Sequence, residues 1–268
     1  MPGWPGPKQG TDGGSRVIDV TTLRRVARMK GLSNLGFAEK DYFQEIILLG
    51  VSREAPGLVF KGGTALYKFF GLNRFSEDVD FSGRAGKREL DRICGYLENF
   101  GYGAAYTEVR AARGRLLTFA IKGFLYRGTT QSLARVRMDV NPDSEVVLEP
   151  GFLMLHSLYP DIPAFGLNVM APEEMMAEKA RALLVRARSR DAFDIWFMMN
   201  RGIKVDLGLV DRKLELYGIQ RTSAAIDGAI RRCRANWKKE LLPMAPGAPT
   251  FDVVEKAVRK ALLPGGDG

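Results

Sequence analysis

Histidine and cysteine are nearly missing from this chain, which has one histidine and two cysteines in 268 residues. A lone His156 cannot furnish a histidine-based zinc site or a Ser-His-Asp triad, so it reads as a loop or packing residue. Cys94 and Cys233 lie far apart and outside any Cys-x-x-Cys pattern. No disulfide framework is expected, and a reducing cytoplasm fits. Long apolar runs are missing too. The most apolar short stretch, Ile46-Ile47-Leu48-Leu49, falls well short of the ~20 residues a membrane span requires. Residues 1–15 are rich in Gly and Pro and lack a hydrophobic signal region, so residues 1–16 read as a disordered tail.

What is present is an ordinary globular balance with a basic excess. Apolar residues make up 46%, charged residues 26%, and the formal net charge is +9. The length allows one large domain or two modest ones. A basic surplus of this size suits a partner that carries phosphates: a nucleotide, a nucleic acid or an anionic surface.

Apolar spacing predicts amphipathic helices over 19–31 and 38–51. Leu58-Val59-Phe60 reads as a short strand ending at Lys61-Gly62-Gly63. Thr64 to Phe70 returns to helical spacing, closed by Gly71. Asp78 to Ser82 alternates as a two-faced strand does. A helix follows over 87–100, and strands over 116–121 and 134–140. Pro150, Gly151, Pro160, Pro163, Gly166 and Pro172 mark 150–171 as a connecting segment. Helices are expected over 173–187, 190–200, 206–217, 221–240 and 251–262, with Thr250 as the last N-cap. The expected organisation is an α/β domain over 17–150, with a mixed sheet, and a helical domain over 151–268.

The residues with chemical meaning concentrate in 58–82. Gly62 and Gly63 let the backbone turn tightly and approach a bulky anion. The helix that follows aims its amides at that anion, and the Thr64 hydroxyl adds a donor. Asp78 and Asp80, two apart on a strand, share one face at about 6–7 Å along the backbone. Carboxylates that close repel unless a cation lies between them, and Mg²⁺ held jointly with substrate phosphates meets that need. Asp139, on a later predicted strand, is the candidate third metal ligand. Asp143 is the runner-up, although Asn141-Pro142-Asp143 reads as a turn. Gly62, Gly63, Thr64 and Arg74 are the candidate nucleotide-binding residues.

A second segment, 173–197, places Lys179, Leu183, Arg186 and Arg190 at helical spacing, a basic edge suited to phosphates. On one continuous helix Asp194 would lie about 60°, and Asp191 about 120°, around the axis from Lys179. A break near Ser189 would change both angles.

The run from Phe60 to Leu66, together with Arg74-Phe75-Ser76-Glu77-Asp78-Val79-Asp80-Phe81, resembles the signature of the AbiEii/AbiGii toxin family of the polymerase-β-like nucleotidyltransferase superfamily. The family's Glu-Lys helix and its later Arg-Asp-x-x-Asp motif find counterparts in Glu178-Lys179 and in Arg190 to Asp194. The resemblance covers roughly residues 40–200. It implies a nucleotidyltransferase-type mixed sheet and a metal-dependent transfer from a nucleoside triphosphate. It also implies Lys179 in nucleotide contact, and Asp191 or Asp194 in activity. By the same resemblance, the acceptor is the 3′ end of tRNA and the partner a co-encoded antitoxin. Two other readings stay open: nucleotidylation of a protein hydroxyl, and a nucleotide- or RNA-binding module without catalysis. The last sixty residues match no pattern.

Overall fold

The computed structural model describes residues 18–32, 34–111, 114–245 and 247–263. The tail expected over 1–16 lies outside the described residues. Two helices come first, α1 (Val20–Met29) and α2 (Leu35–Glu54). Asp19 caps α1 by accepting the Thr22 amide at 2.7 Å. Asn34 caps α2 by accepting from Gly36 and Phe37.

The spacing of α2 predicts a single buried face. In the fold nearly all of its middle is buried, including Glu39, Asp41, Gln44 and Glu45. Charge pairing accounts for Asp41 and Glu45, and the Leu125 amide donates to Glu39 at 2.8 Å. The Lys30 ammonium lies 2.5 Å from Asp41 and 2.6 Å from Glu45. Tyr159 donates to Asp41 and Ser157 to Glu45, so the acidic face is covered and satisfied.

The chain then alternates strands and helices: β1 (Val59–Lys61), α3 (Gly62–Phe70), β2 (Asp78–Ser82) and α4 (Lys87–Asn99). Three longer strands follow, β3 (Ala104–Ala111), β4 (Gly114–Ile121) and β5 (Ala134–Asn141). Gly71 ends α3 in the left-handed conformation at φ 72°, as its place after Phe70 leads one to expect. The segment 150–171 is not merely a connection. It contains β6 (Gly151–Leu155) and β7 (Phe165–Val169).

The strands form one sheet in the order β3-β4-β5-β2-β1-β7-β6. It is mixed, because β2 runs parallel to β5 whereas β3–β4 and β4–β5 are antiparallel. Five helices complete the described chain: α5 (Pro172–Arg186), α6 (Ser189–Asn200), α7 (Leu207–Glu215), α8 (Ser223–Leu241) and α9 (Phe251–Leu262). Thr250 occupies the N-cap of α9, without a side-chain capping bond. No described helix is long and apolar enough to cross a membrane.

The chain divides into two compact units that interleave along the sequence. The first comprises Met1–Val59, Glu77–Ser144 and Phe152–Asn168, and so holds the sheet apart from residues 60–61, 151 and 169. Within it α2 packs on α1, α4 and β5. Tyr42, Phe43, Tyr102 and Phe124 form an aromatic cluster with edge and stacked contacts.

The second unit comprises Phe60–Ser76, Glu145–Gly151 and Val169–Gly268. In it α6 is packed by α5, α8 and α9. The stretch 145–151 is fastened to the helices by Glu174, whose buried carboxylate accepts the amides of Val147 and Leu148 and the ammonium of Lys213.

Candidate active site

The residues singled out by the sequence fall into two sets, one in each unit. The set in the second unit begins where β1 gives way to α3. The helix opens at Gly62, two residues earlier than expected, and Gly62 sits at φ 79°, where a side chain is strained. Gly63 is required for a different reason. A Cβ there would come within 2.7 Å of Arg74 Nη2 and 2.8 Å of Ser76 Oγ. Thr64 is fully buried. The N-cap residue, Lys61, makes no side-chain capping bond, and no acidic residue occupies the first turn. The positive end of α3 therefore carries no anionic side chain of its own helix, which is the condition for binding an external phosphate.

Beneath this turn lies a buried lattice of charge. Arg74 donates Nε and Nη2 to the two oxygens of Asp194 at 2.7 and 2.6 Å, and Nη1 to the Phe75 carbonyl. Arg74, expected among the nucleotide contacts, thus sits behind the turn and holds it. The Lys179 ammonium lies 2.7 Å from Asp194 and 3.5 Å from Asp191. Arg186 grips both oxygens of Asp191 at 2.8 and 2.9 Å. Arg74, Lys179 and Arg186 thus close on the two carboxylates.

Both aspartates reach Lys179 because the helix breaks. Ala187 takes the left-handed conformation at φ 49°, so α5 ends and α6 starts afresh at Ser189. The angles of one continuous helix do not apply.

Burial opposes ionisation of Asp191, but Lys179, Arg186 and Arg190 outweigh it and hold the carboxyl down at about 2. Asp194 is likewise held low against burial, by Arg74 and Lys179. Burial and the neighbouring Arg186 push the Arg190 guanidinium below its ordinary value. Glu178, next to Lys179 in sequence, is kept at about 2 despite burial by Lys61, Arg181 and Lys213.

The set in the first unit lies on the sheet. The parallel register of β2 and β5 aligns Asp78 with Arg137 and Asp80 with Asp139. Along β5 the even-numbered Val136, Met138 and Val140 are buried while Arg135, Arg137, Asp139 and Asn141 are not. In β2 Val79 and Phe81 are buried, and Asp78 and Asp80 lie on the other face. Asp78, Asp80 and Asp139 therefore share one face of adjacent strands.

Asp78 is engaged by Arg137, which donates to both of its oxygens at 2.8 and 2.9 Å. Asp143 lies in the turn that the sequence indicated, its amide donating to Asn141 Oδ1 at 3.0 Å.

Among the described residues, no three or more His, Cys, Asp or Glu side chains gather as a ready metal cage. The donor set still fits a hard cation. Mg²⁺ is commonly held by one or two carboxylates and completed by substrate oxygens and water, and Asp80 beside Asp139 supplies such a pair.

Sequence reasoning missed two partners, Arg137 for Asp78 and Arg74 for Asp194. Alternation along β5 could have found the first, because Arg137 stands two residues before Asp139 on the same face. No sequence signal joins Arg74 to Asp194.

The mixed sheet with its carboxylate face, and the glycine-opened helix, are those of a nucleotidyltransferase. The profile of the family described as nucleotidyl transferase AbiEii toxin, type IV toxin–antitoxin system, matches residues 47–262. The chain belongs to this family of nucleotidyltransferase toxins.

No curated protein sequence matches the chain. Among solved structures it is similar to MenT4, a nucleotidyltransferase toxin from Mycobacterium tuberculosis H37Rv, at TM-score 0.65 and 21% identity over 90% of this chain and 88% of that one. It is also similar to JHP933 from Helicobacter pylori, at TM-score 0.56 and 18% identity over 82% of this chain and 88% of that one. At these identities the likeness is one of fold.

Proposed function

We propose that this toxin transfers a nucleotide from a nucleoside triphosphate to the 3′ end of tRNA in the cytoplasm, with Mg²⁺ as cofactor and a co-encoded antitoxin as its counterpart. The observation that carries the reading is the aligned pair Asp80 and Asp139, with Asp78 on the same sheet face. The amides of Gly62 and Gly63 and the Thr64 hydroxyl receive the triphosphate at the start of α3. Lys179 supplies the positive charge that meets the nucleotide phosphates. Asp191 and Asp194 are positioning residues, because they fix Lys179 and Arg74 rather than reach for substrate themselves.

In the reaction the acceptor hydroxyl oxygen bonds to the α-phosphorus, the bond to the pyrophosphate oxygen breaks, and the hydroxyl proton passes to one of the three sheet carboxylates. A bound Mg²⁺ supplies charge neutralisation for the leaving pyrophosphate. The basic surplus of +9 favours a nucleic-acid acceptor over a protein hydroxyl.

The test is incubation with labelled nucleoside triphosphates, Mg²⁺ and either total RNA or total protein. Label in the tRNA fraction is the expected result. Label in protein moves the acceptor to a protein hydroxyl. Label in neither leaves a binding module without catalysis.

A further inference from the structure

Helix α8, within the last sixty residues, has an unusual distribution of charge. Its buried face carries Ile226, Ile230, Cys233, Trp237 and Leu241. Its opposite face is exposed at Arg231, Arg232, Lys238 and Lys239. At 100° per residue, Arg231 and Lys238 stack about 20° apart, as do Arg232 and Lys239, so two basic rows run side by side over about 12 Å of helix. By the same rotation the exposed Ala235 falls between the two rows, and the exposed Ala224 and half-buried Gly228 continue its line ahead of them toward the helix start.

Three other arginines of this helical region are neutralised. Arg234 pairs with Asp252 and Glu255, Arg221 with Asp211, and Arg259 with Asp227 and Glu255. The side chains of Arg231, Arg232, Lys238 and Lys239 make no hydrogen bond or ion pair among the described residues. Four like charges on one helix face repel one another unless an outside anion meets them.

The helix is also tied to the site. The Ser189 hydroxyl donates to the Cys233 carbonyl at 3.2 Å, and the Ser189 amide to Glu240 at 2.9 Å. Ser189 is the first residue of α6, which carries Asp191 and Asp194. Whatever sits on the outer face of α8 is thus held in register with α6.

We propose that the outer face of α8, through Arg231, Arg232, Lys238 and Lys239, is the docking surface for the phosphodiester backbone of a folded RNA acceptor. The class of acceptor rests on the proposed function; the surface itself rests on the charge. Two exposed rows of cations suit a backbone of regularly spaced phosphates, and such binding is indifferent to base sequence.

The test is direct binding of fluorescently labelled tRNA to the full chain at several salt concentrations, followed by anisotropy, without nucleotide. In the variant with Arg231, Arg232, Lys238 and Lys239 all replaced by Gln, affinity should fall at least tenfold. The slope of log affinity against log salt should drop by about 3, at roughly 0.7–0.9 for each phosphate no longer neutralised. A second variant, Arg231→Lys with Arg232→Lys, should bind within a few-fold of the parent and keep its salt slope. The inference is overturned if the fourfold variant, shown folded by its melting curve, binds tRNA as the parent does. It is equally overturned if the charge-preserving pair weakens binding as much as the fourfold variant, or if the parent binds no tRNA. Label-transfer activity is not read in this experiment, so failure of the proposed catalysis and failure of this surface are told apart.

Discussion

Arg74 and Asp194, separated by 120 positions in sequence, meet in a buried two-point ion pair with N···O distances of 2.7 and 2.6 Å. The same guanidinium fills the space that a side chain at Gly63 would need. One contact therefore links the glycine turn to α6. Removing one member of a buried ion pair leaves an uncompensated charge and costs about 3–5 kcal/mol. Asp194→Ala strands both Arg74 and Lys179.

The expected outcome is a melting temperature lowered by roughly 6–20 °C, at 2–4 °C per kcal/mol for a chain of this size. Differential scanning calorimetry reads it directly. An unchanged melting temperature would show that the pair does not hold the turn.

Acid should act on the same lattice. The Asp191 carboxyl lies at about 2 in the fold against 3.8 for the free side chain. A carboxyl depressed on folding contributes stability that is complete above its unfolded value and lost as pH falls through its folded one. The contribution is therefore present above about pH 4 and disappears towards pH 2. Melting curves across that range should show the parent losing its advantage over Asp191→Asn as pH drops. A gap between the two that stays constant down to pH 2 would contradict this assignment.

Much of this was legible in the sequence, and the reasons for the rest are local. The strand, glycine turn and helix from Leu58 to Gly71, and the alternation of Asp78 to Ser82, rest on short-range spacing and were readable. Strands β6 and β7 were hidden by proline and glycine. Those breakers turn out to flank the strands or stand at their ends, apart from Gly166 inside β7. A Cβ at Gly166 would lie 2.1 Å from the Phe152 ring, so its glycine marks a packing contact rather than a turn.

The pattern Phe165, Leu167, Val169 is buried at alternate positions and carried the strand signal throughout. The approach of Asp191 and Asp194 to Lys179 was not legible, because it depends on Ala187 adopting a left-handed conformation that its residue type does not announce.

The pairing of Arg137 with Asp78 has its own consequence. The guanidinium occupies a carboxylate assigned to the metal, so it competes with a cation there. The pair is partly solvent-exposed and is worth about 0.2–1 kcal/mol. Arg137→Gln should therefore bind Mg²⁺ up to about fivefold more tightly in titration calorimetry without nucleotide. Weaker binding by the variant would mean that Asp78 takes no part in holding the ion.

The most direct test of the whole account is label transfer by Asp80→Ala, measured beside the parent protein with nucleoside triphosphates, Mg²⁺ and total RNA. Asp80 is half-buried on the less covered face of β2 beside Asp139, so the variant should melt like the parent and transfer no label. Transfer at the parent's rate by a folded Asp80→Ala protein would contradict the placement of the chemistry on this sheet face.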